Sequence, residues 1–221
     1  SNIALNTIMA EELAKFADEL ENADDFDATL QKLVCKAFTD HQRIIFNGNG
    51  YSAEWTEEAK RRGLSNLPST AECLPAYISE KNIELVTKHC IFSEEEYRAR
   101  YYIHLESYCK IIRIEARTSI DMVLQQIIPA VTSYTTSLCN AVIAKKNVGT
   151  SCRAEANLVS KLSAATDSLY ENCEKLRQDL TNIPLDLEAA AKYYHDTIIT
   201  DMHALRADAD LLEQLTDKSS W

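Results

Sequence analysis

The sequence has 221 residues, 46% of them hydrophobic, with four glycines, four prolines and a formal net charge of −11. A sheet protein needs turn residues about every 8–12 positions, which this composition does not supply, and so high a hydrophobic content argues against disorder. The acidic balance argues against nucleic-acid binding, because no basic footprint is present to neutralise phosphates. Composition therefore predicts an all-α protein built from a few long helices.

The seven cysteines are an odd, scattered set without a C-x-x-C pair. Most are expected to be free thiols that pack as small core residues, which indicates a reducing, cytoplasmic compartment. There is no signal peptide, and no apolar run approaches the roughly 18 residues that a membrane span needs, so no membrane contact is expected. The chain begins almost directly in a helical pattern, and we expect it to be a segment of a longer protein.

Short helices are predicted in the first part of the chain. Apolar residues at helical spacing predict a helix from about Ala4 to Glu21 and a second one from about Phe26 towards His41. Ser52 is a good N-cap for a short helix that has Gly63 as its C′ residue.

The next helix should begin at a capping box formed by Ser69 and Glu72, and Pro75 should interrupt it before it continues through Val86.

The second part of the chain predicts long helices. A capping box of Ser93 with Glu96 opens the longest one, which Pro129 should kink before it ends at Asn147–Thr150. Two further helices follow, with apolar positions that step by threes and fours: Ala154, Leu158, Leu162, Ala165, Leu169, Cys173, Leu176 and Leu180 in one, and Ala191, Tyr194, Ile198, Met202, Leu205, Ala209 and Leu212 in the other. Short connections between long amphipathic helices predict antiparallel neighbours, and hence a bundle or three-helix coiled coil.

The only glycine cluster of the chain is the candidate site. Glycine and asparagine tolerate positive φ, so this segment should be a tight turn. Glycine loops before a helix can also cradle phosphates, but this one lacks the Gly-Lys-Ser/Thr ending of a P-loop. A structural turn and a contact with a ligand or neighbouring subunit both stay open for these residues: Asn47, Gly48, Asn49, Gly50 and Tyr51.

Other arrangements for catalysis or metal binding are weak. His195 and His203, with Asp196 and Asp201 nearby, lie about 80° apart around a helix and do not share a face. A packed thiol is the better interpretation of Cys109, because His104 five residues earlier points away from it. The sequence therefore predicts no catalytic, cofactor-binding or metal-binding residue in this chain.

Seven strings of the sequence are more specific than these patterns: LNTIMAEEL (5–13), HQRIIFNGNGYS (41–52), EEAKRRGL (57–64), KNIEL (81–85), ESYCK (106–110), IDM (120–122) and IPAV (128–131). In that order they closely resemble the C-terminal third of type III glutamine synthetases, the large bacterial form. The resemblance is strongest from Leu5 to Val131, and residues 71–110 are similar to the closing helices of ordinary glutamine synthetases.

The resemblance implies a parent enzyme that makes glutamine from glutamate, ammonia and ATP, with Mg or Mn ions. In that family the metal-binding and phosphate-binding side chains lie on a curved β-sheet, and none of them matches a position here. Residues 1–92 are therefore expected to be the helical tail of the catalytic domain, and residues 93–221 a long-helix extension.

The expected role is then non-catalytic, supporting folding and ring assembly. Its partners would be the remainder of the catalytic domain and neighbouring subunits of a homo-oligomer. A self-standing helical interaction module without ligase activity is the alternative. An independent bundle metalloenzyme is a third possibility, although the sequence lacks the facing carboxylate–histidine sets that it needs.

Overall fold

The computed structural model describes residues 2–221, and those residues form helices and connecting loops without a β-strand. This confirms the all-α class. The α-helices of this part of the chain are α1 (Asn2–Glu21), α2 (Phe26–Asp40), α3 (Ala53–Arg61), α4 (Thr70–Tyr77), α5 (Glu80–Lys88), α6 (Glu94–Met122), α7 (Ile128–Asn147), α8 (Arg153–Asp179), α9 (Leu187–Tyr193) and α10 (Ile199–Leu215). A 3₁₀ turn covers Gln42–Ile44, and π-helical turns cover Val123–Ile127 and Tyr194–Ile198.

The helices begin where the capping signals predicted. The Ser69 hydroxyl accepts from the backbone N–H of Glu72, whose carboxylate accepts from the backbone N–H of Ser69. Ser93 and Glu96 exchange the same two bonds. Gly63 ends α3 with a φ of 70°, which an L side chain adopts only under strain.

The prolines act differently from the prediction. Pro75 lies inside α4, and the break falls after Tyr77 instead. At Pro129 the helix continues, because the turn Val123–Ile127 widens to i→i−5 hydrogen bonding just before the proline. The resulting helix runs without a gap from Glu94 to Asn147.

This long helix corrects the prediction that no segment is apolar enough to span a membrane. An 18-residue window in Glu94–Asn147 has a mean hydropathy of 1.3 and at most two charged residues, and only 6% of that window is buried. By length and composition alone the helix could cross a membrane. Its α7 portion packs against α8 along one side and exposes amide and hydroxyl side chains on the other.

The chain divides into two compact units, one ending at Ile103 and one comprising His104–Trp221. The division falls inside α6, whereas the predicted boundary between residues 92 and 93 lies at the start of that helix. In the first unit, Tyr97 of α6 packs on Ile83 and Val86 of α5. Its ring stacks on Tyr77 at 4.2 Å between centroids, and burial raises the pKa of its hydroxyl to about 12. The first turns of α6 thus complete the core of the first unit.

Helices α1 and α2 of the first unit pack against each other, and α1 also packs on α5. Glu11 ties these two helices: its carboxylate lies 2.8 Å from Lys88 Nζ and 2.7 Å from His89 Nε2. The hydrogen bonds from Lys88 and His89 lower the pKa of Glu11 from 4.5 to about 2. Only Thr7 and Leu33 are buried in the two helices, so most of the apolar stripe of α1 lies exposed.

The second unit is the predicted bundle. Helix α8 packs against both α7 and α10, and short connections make these neighbours antiparallel. Its buried residues follow the predicted spacing: Leu162, Ala165, Leu169, Cys173 and Leu176. Cys109 and Cys173 are buried, but Cys35, Cys73 and Cys90 are exposed, so the prediction of core cysteines is correct only in part.

One level of this core holds a charge. The pattern placed Met202 in the core, but Asp201 is the buried residue there, with 3% exposure, and Met202 is half-buried. The Lys175 ammonium pairs with Asp201 Oδ1. Burial raises the pKa of Asp201, although the lysine opposes this shift. A buried carboxylate is tolerated here because a cation from α8 partners it.

The Glu11 ion pairs predict a pH-dependent stability of the first unit. Because its pKa is lower in the folded state, Glu11 stabilises the fold above about pH 4.5, and this contribution is lost as the pH falls towards 2. We expect Glu11→Gln to lower the urea midpoint at about pH 6 and the difference from wild type to shrink below pH 4.5. The measurement is Trp55 fluorescence in a Trp221→Phe background.

Glu12→Gln is the matched control, because Glu12 bonds only to Lys15 on the same helix. Its effect on the midpoint should be small at every pH. A Glu11→Gln effect that stays constant across this range would contradict the assigned role of the ion pairs.

Candidate functional site

The glycine loop folds as a tight turn held by Asn49. The Asn49 side-chain oxygen accepts from the backbone N–H of Tyr51 at 3.0 Å. Its backbone carbonyl accepts from the backbone N–H of Ser52 at 3.1 Å and from the Ser52 hydroxyl at 2.8 Å. Ser52 then caps α3 by accepting from the backbone N–H of Trp55. Loop and helix start are therefore one hydrogen-bonded structure.

Gly48 leaves no room for a side chain, because its backbone lies against the Phe46 ring. A Cβ atom at this position would lie 2.6 Å from two ring carbons of Phe46, a distance that real Cβ contacts do not show. At Gly50 a Cβ would meet nothing within 4 Å. The loop thus passes closely over the Phe46 ring at Gly48, whereas Gly50 is not needed for packing.

The glycine loop is held against α3 by an aromatic pair, Phe46 and Trp55, and by Arg62. The Phe46 and Trp55 rings lie 4.6 Å apart between centroids. The Arg62 guanidinium carbon is 6.0 Å and 5.8 Å from these two centroids, at the outer range of cation–π attraction. Arg62 also donates to the carbonyl of Ile45 at 2.7 Å and to that of Arg43 at 3.2 Å. The end of α3 is thereby fixed to the segment that enters the loop.

Glu58 holds Arg62 in this position. Its carboxylate accepts from Arg62 Nε at 2.5 Å and from Arg61 Nε and Nη2 at 2.7 and 2.6 Å. The hydrogen bonds from Arg61 and Arg62 lower the pKa of Glu58 from 4.5 to about 2. The Glu58 carboxylate therefore stays ionised across the neutral range and keeps accepting from both arginines.

The loop geometry argues against a phosphate cradle. Two of its backbone N–H groups, those of Tyr51 and Ser52, already bond to Asn49. Phosphate cradles leave successive backbone N–H groups pointing at the ligand. The group that the loop does offer is the Tyr51 ring, which is fully exposed. A tight turn is what these five residues form, and their contact with another molecule stays a prediction.

The weaker candidates are separate in the structure. His195 Nδ1 lies 2.7 Å from Asp196 Oδ1 on an exposed surface, and Asp201 pairs with Lys175. His203 lines a cavity of about 450 Å³ together with Met122, Met202 and Trp221. Among residues 2–221, no group of three or more His, Cys, Asp or Glu side chains could hold a metal ion.

Cys109 is buried, and burial raises the pKa of its thiol, which opposes formation of the reactive thiolate.

Sequence reasoning missed the residues that support the loop. The basic run Lys60-Arg61-Arg62 lies at the end of α3, where positive charge complements the helix dipole. Charge at a helix end does not by itself predict the contacts of Arg62 with Phe46 and Trp55. The sequence feature that could have indicated these contacts is the occurrence of Phe46, Trp55 and Arg62 close to the only glycine cluster of the sequence.

Comparison with known proteins identifies the family. Residues 29–146 match the family model described as the glutamine synthetase C-terminal domain. A glutamine synthetase of Butyrivibrio fibrisolvens is 34% identical over 198 residues, covering 88% of this chain and 28% of that protein. A type-3 glutamine synthetase of Dictyostelium discoideum is 31% identical, covering 99% of this chain and 31% of that protein.

A glutamine synthetase of Bacteroides fragilis is 27% identical, and the match covers 99% of this chain and 32% of that protein. The chain thus spans about a third or less of the length of these relatives. The helical fold, the family match over more than half of the chain and these relatives agree with the resemblance in the sequence strings. The chain belongs to the glutamine synthetase family, and its residues 29–146 match the C-terminal domain of that family.

Proposed function

We propose that the chain is a non-catalytic C-terminal segment of a glutamine synthetase and that it supports folding and subunit assembly. Beyond family membership, the observation that carries this proposal is the uncovered apolar surface of the α1–α2 hairpin. Large hydrophobic side chains that are more than a third exposed recur along both helices: Ile3, Leu5, Ile8, Met9, Leu13, Phe26, Leu30, Val34 and Phe38.

Such a surface is costly in water. Burying one Leu or Phe side chain stabilises a protein by roughly 1.5–3 kcal/mol, and exposed apolar surface of this extent usually marks a contact site. The relatives are about three times as long as this chain. We propose that the α1–α2 surface packs against the remainder of a polypeptide of that length.

The chemistry is proposed to lie in that remainder. Glutamine formation from glutamate, ammonia and ATP proceeds through an acyl phosphate and needs Mg or Mn to neutralise the phosphate charge. The residues described here do not fit such a site, because they provide no set of three metal ligands and no free amide cradle in the glycine loop. We therefore assign no step of the reaction to this chain. A cytoplasmic location is proposed from the free cysteines.

A self-standing interaction module is the second candidate. The specific observation in its favour is the core of the second unit, where Leu162, Leu169 and Leu212 are completely buried by the unit's own helices. A bundle with its own core is able to fold without a catalytic domain. The two candidates differ in whether the complete gene product has ligase activity.

The first experiment is an assay of ATP-dependent and Mg²⁺-dependent glutamine formation. We expect activity from the complete gene product and none from the 221-residue segment alone, because residues 2–221 provide no set of three metal ligands. An inactive complete product that is folded would contradict the enzyme assignment and favour the interaction module.

The assembly role is tested by truncating the complete polypeptide after Ile103. This end point keeps Tyr97 in the core of the first unit and removes only the bundle. We expect a smaller number of subunits per particle by mass photometry. Truncation before Ser93, which also removes Tyr97, is the comparison and should destabilise the catalytic portion as well. Unchanged subunit number and activity after the Ile103 truncation would contradict the assembly role.

If the α1–α2 surface is covered in the complete polypeptide, Phe38→Gln should affect the stability of that polypeptide but not the stability of the 221-residue segment. Phe38 is 64% exposed in this segment, so Phe38→Gln should leave the urea midpoint of the segment nearly unchanged. In the complete polypeptide, where the ring is proposed to be buried, we expect a loss of roughly 1.5–3 kcal/mol in unfolding free energy.

Leu185→Gln is the matched control, because Leu185 is fully exposed in a connection of the second unit. It should have no effect in either context. An equally small effect of Phe38→Gln in the complete polypeptide would show that the α1–α2 surface is not covered there.

A further inference from the structure

The π turn and α7 as far as Ala144 contain no charged side chain, and the lysines of α7 lie only in its last turn. From Met122 to Ala144 no residue is Asp, Glu, Lys or Arg, although 26% of the whole chain is charged. One side of this segment packs on α8. The opposite side, called here the neutral face, consists of exposed residues: Gln125, Gln126, Pro129, Thr132, Ser133, Thr136, Ser137, Asn140 and Ile143.

A helix face turned towards water usually carries charged residues. A face turned towards lipid is apolar, because amide side chains are costly in hydrocarbon. The neutral face fits neither environment, since it is made mainly of amide and hydroxyl side chains. Loss of charged residues without loss of hydrogen-bonding groups is typical of a surface that meets another protein.

The charges that border the neutral face have opposite signs at its two ends. Asp121 is exposed one helical turn before Gln125, and Lys146 is exposed one turn after Ile143. In a parallel pair of identical helices, Asp121 would face Asp121 and Lys146 would face Lys146. In an antiparallel pair, each aspartate lies near the lysine of the other copy. The end charges therefore favour antiparallel pairing of this face with itself.

We infer that the neutral face is a homotypic contact surface, on which α7 of a second copy of this chain packs antiparallel. The net charge of −11 makes two copies repel each other in general. The neutral face lets two copies approach without bringing like charges together. Antiparallel pairing about a two-fold axis between Ser133 and Thr136 uses the same surface on both copies, as in most homodimers.

The size of the surface sets the strength of the contact. The charge-free segment is about 35 Å long, and a helix is about 10 Å wide, so a pair would bury roughly 700 Å² in total. Stable dimers usually bury about 1,200–2,000 Å². The contact by itself is therefore weak, and in an assembly held by other contacts it gains strength through the high effective concentration.

This inference deepens the assembly part of the proposed function, on which it rests, but homotypic pairing does not depend on ligase activity. The test measures the dimer dissociation constant of the 221-residue chain by sedimentation equilibrium. Ser133→Glu puts a carboxylate at the centre of the paired face in both copies, and we expect dimerisation at least about tenfold weaker. Ser163→Glu on the exposed side of α8 changes the net charge equally and should leave the constant unchanged.

Three further variants separate a local effect from general repulsion and test the orientation. Ser133→Lys reduces the net negative charge, yet it should also weaken the dimer. Asp121→Lys should weaken pairing by facing Lys146 of the other copy, and Asp121→Lys combined with Lys146→Glu should restore it. Circular dichroism checks that all variants keep the helical content of the wild type.

Three outcomes would overturn the inference. One is a dimer that Ser133→Glu leaves intact but Phe38→Gln abolishes, which would locate self-association on the α1–α2 surface. Another is a chain that stays monomeric at millimolar concentration. The third is binding to phosphatidylcholine vesicles that Ser133→Glu removes, which would make the neutral face a lipid contact. Each outcome leaves the ligase assay unaffected, so failure here is distinguishable from failure of the proposed function.

Discussion

The buried side of α8 is the constraint on which the second unit depends. Leu162, Leu169, Cys173 and Leu176 have no exposed surface, because α7 covers one flank of the helix and α10 the other. Helices α7 and α10 both pack on this row of buried side chains. The residues on their outer faces are therefore not fixed by the core and can differ in polarity and charge. That freedom allows α7 to carry a neutral face while α8 carries charged residues on its exposed side. In the described part of the first unit no helix has this central role, and a small cluster of aromatic and aliphatic side chains around Tyr97 forms a core there.

Much of the fold follows from local signals. Four helix ends were predicted correctly, because each depends on hydrogen bonds or backbone angles within one turn. They are the capping boxes at Ser69 and Ser93, the N-cap Ser52 and the C′ glycine Gly63. Apolar positions three and four residues apart in α8 predicted the core of the bundle. The sequence did not predict which other helices cover each helix surface, because this depends on segments far away in the chain. The apolar stripe of α1 was recognised, but its exposure was not.

The candidate site shows the same division between local and distant information. That Asn47–Tyr51 would turn tightly followed from residue type alone. The closeness of Gly48 to the Phe46 ring and the reach of Arg62 to Ile45 depend on how α3 folds back on the preceding segment. Asp201 in the core was equally unpredictable, because its burial requires Lys175 on another helix. Local patterns find a loop or a helix, whereas the partners that fix it in place come from elsewhere in the chain.

The π turn at Val123–Ile127 has a consequence for sequence change in this family. It accommodates one more residue per turn than an α-helix, so every side chain after it is rotated by about 100° relative to a regular helix. A deletion of one residue there would restore regular winding and turn the polar residues of α7 towards α8. A single-codon deletion at this turn would thus be far more damaging than most substitutions in the same helix. Insertions and deletions in relatives should therefore avoid this turn and accumulate in the connections, such as that from α7 to α8.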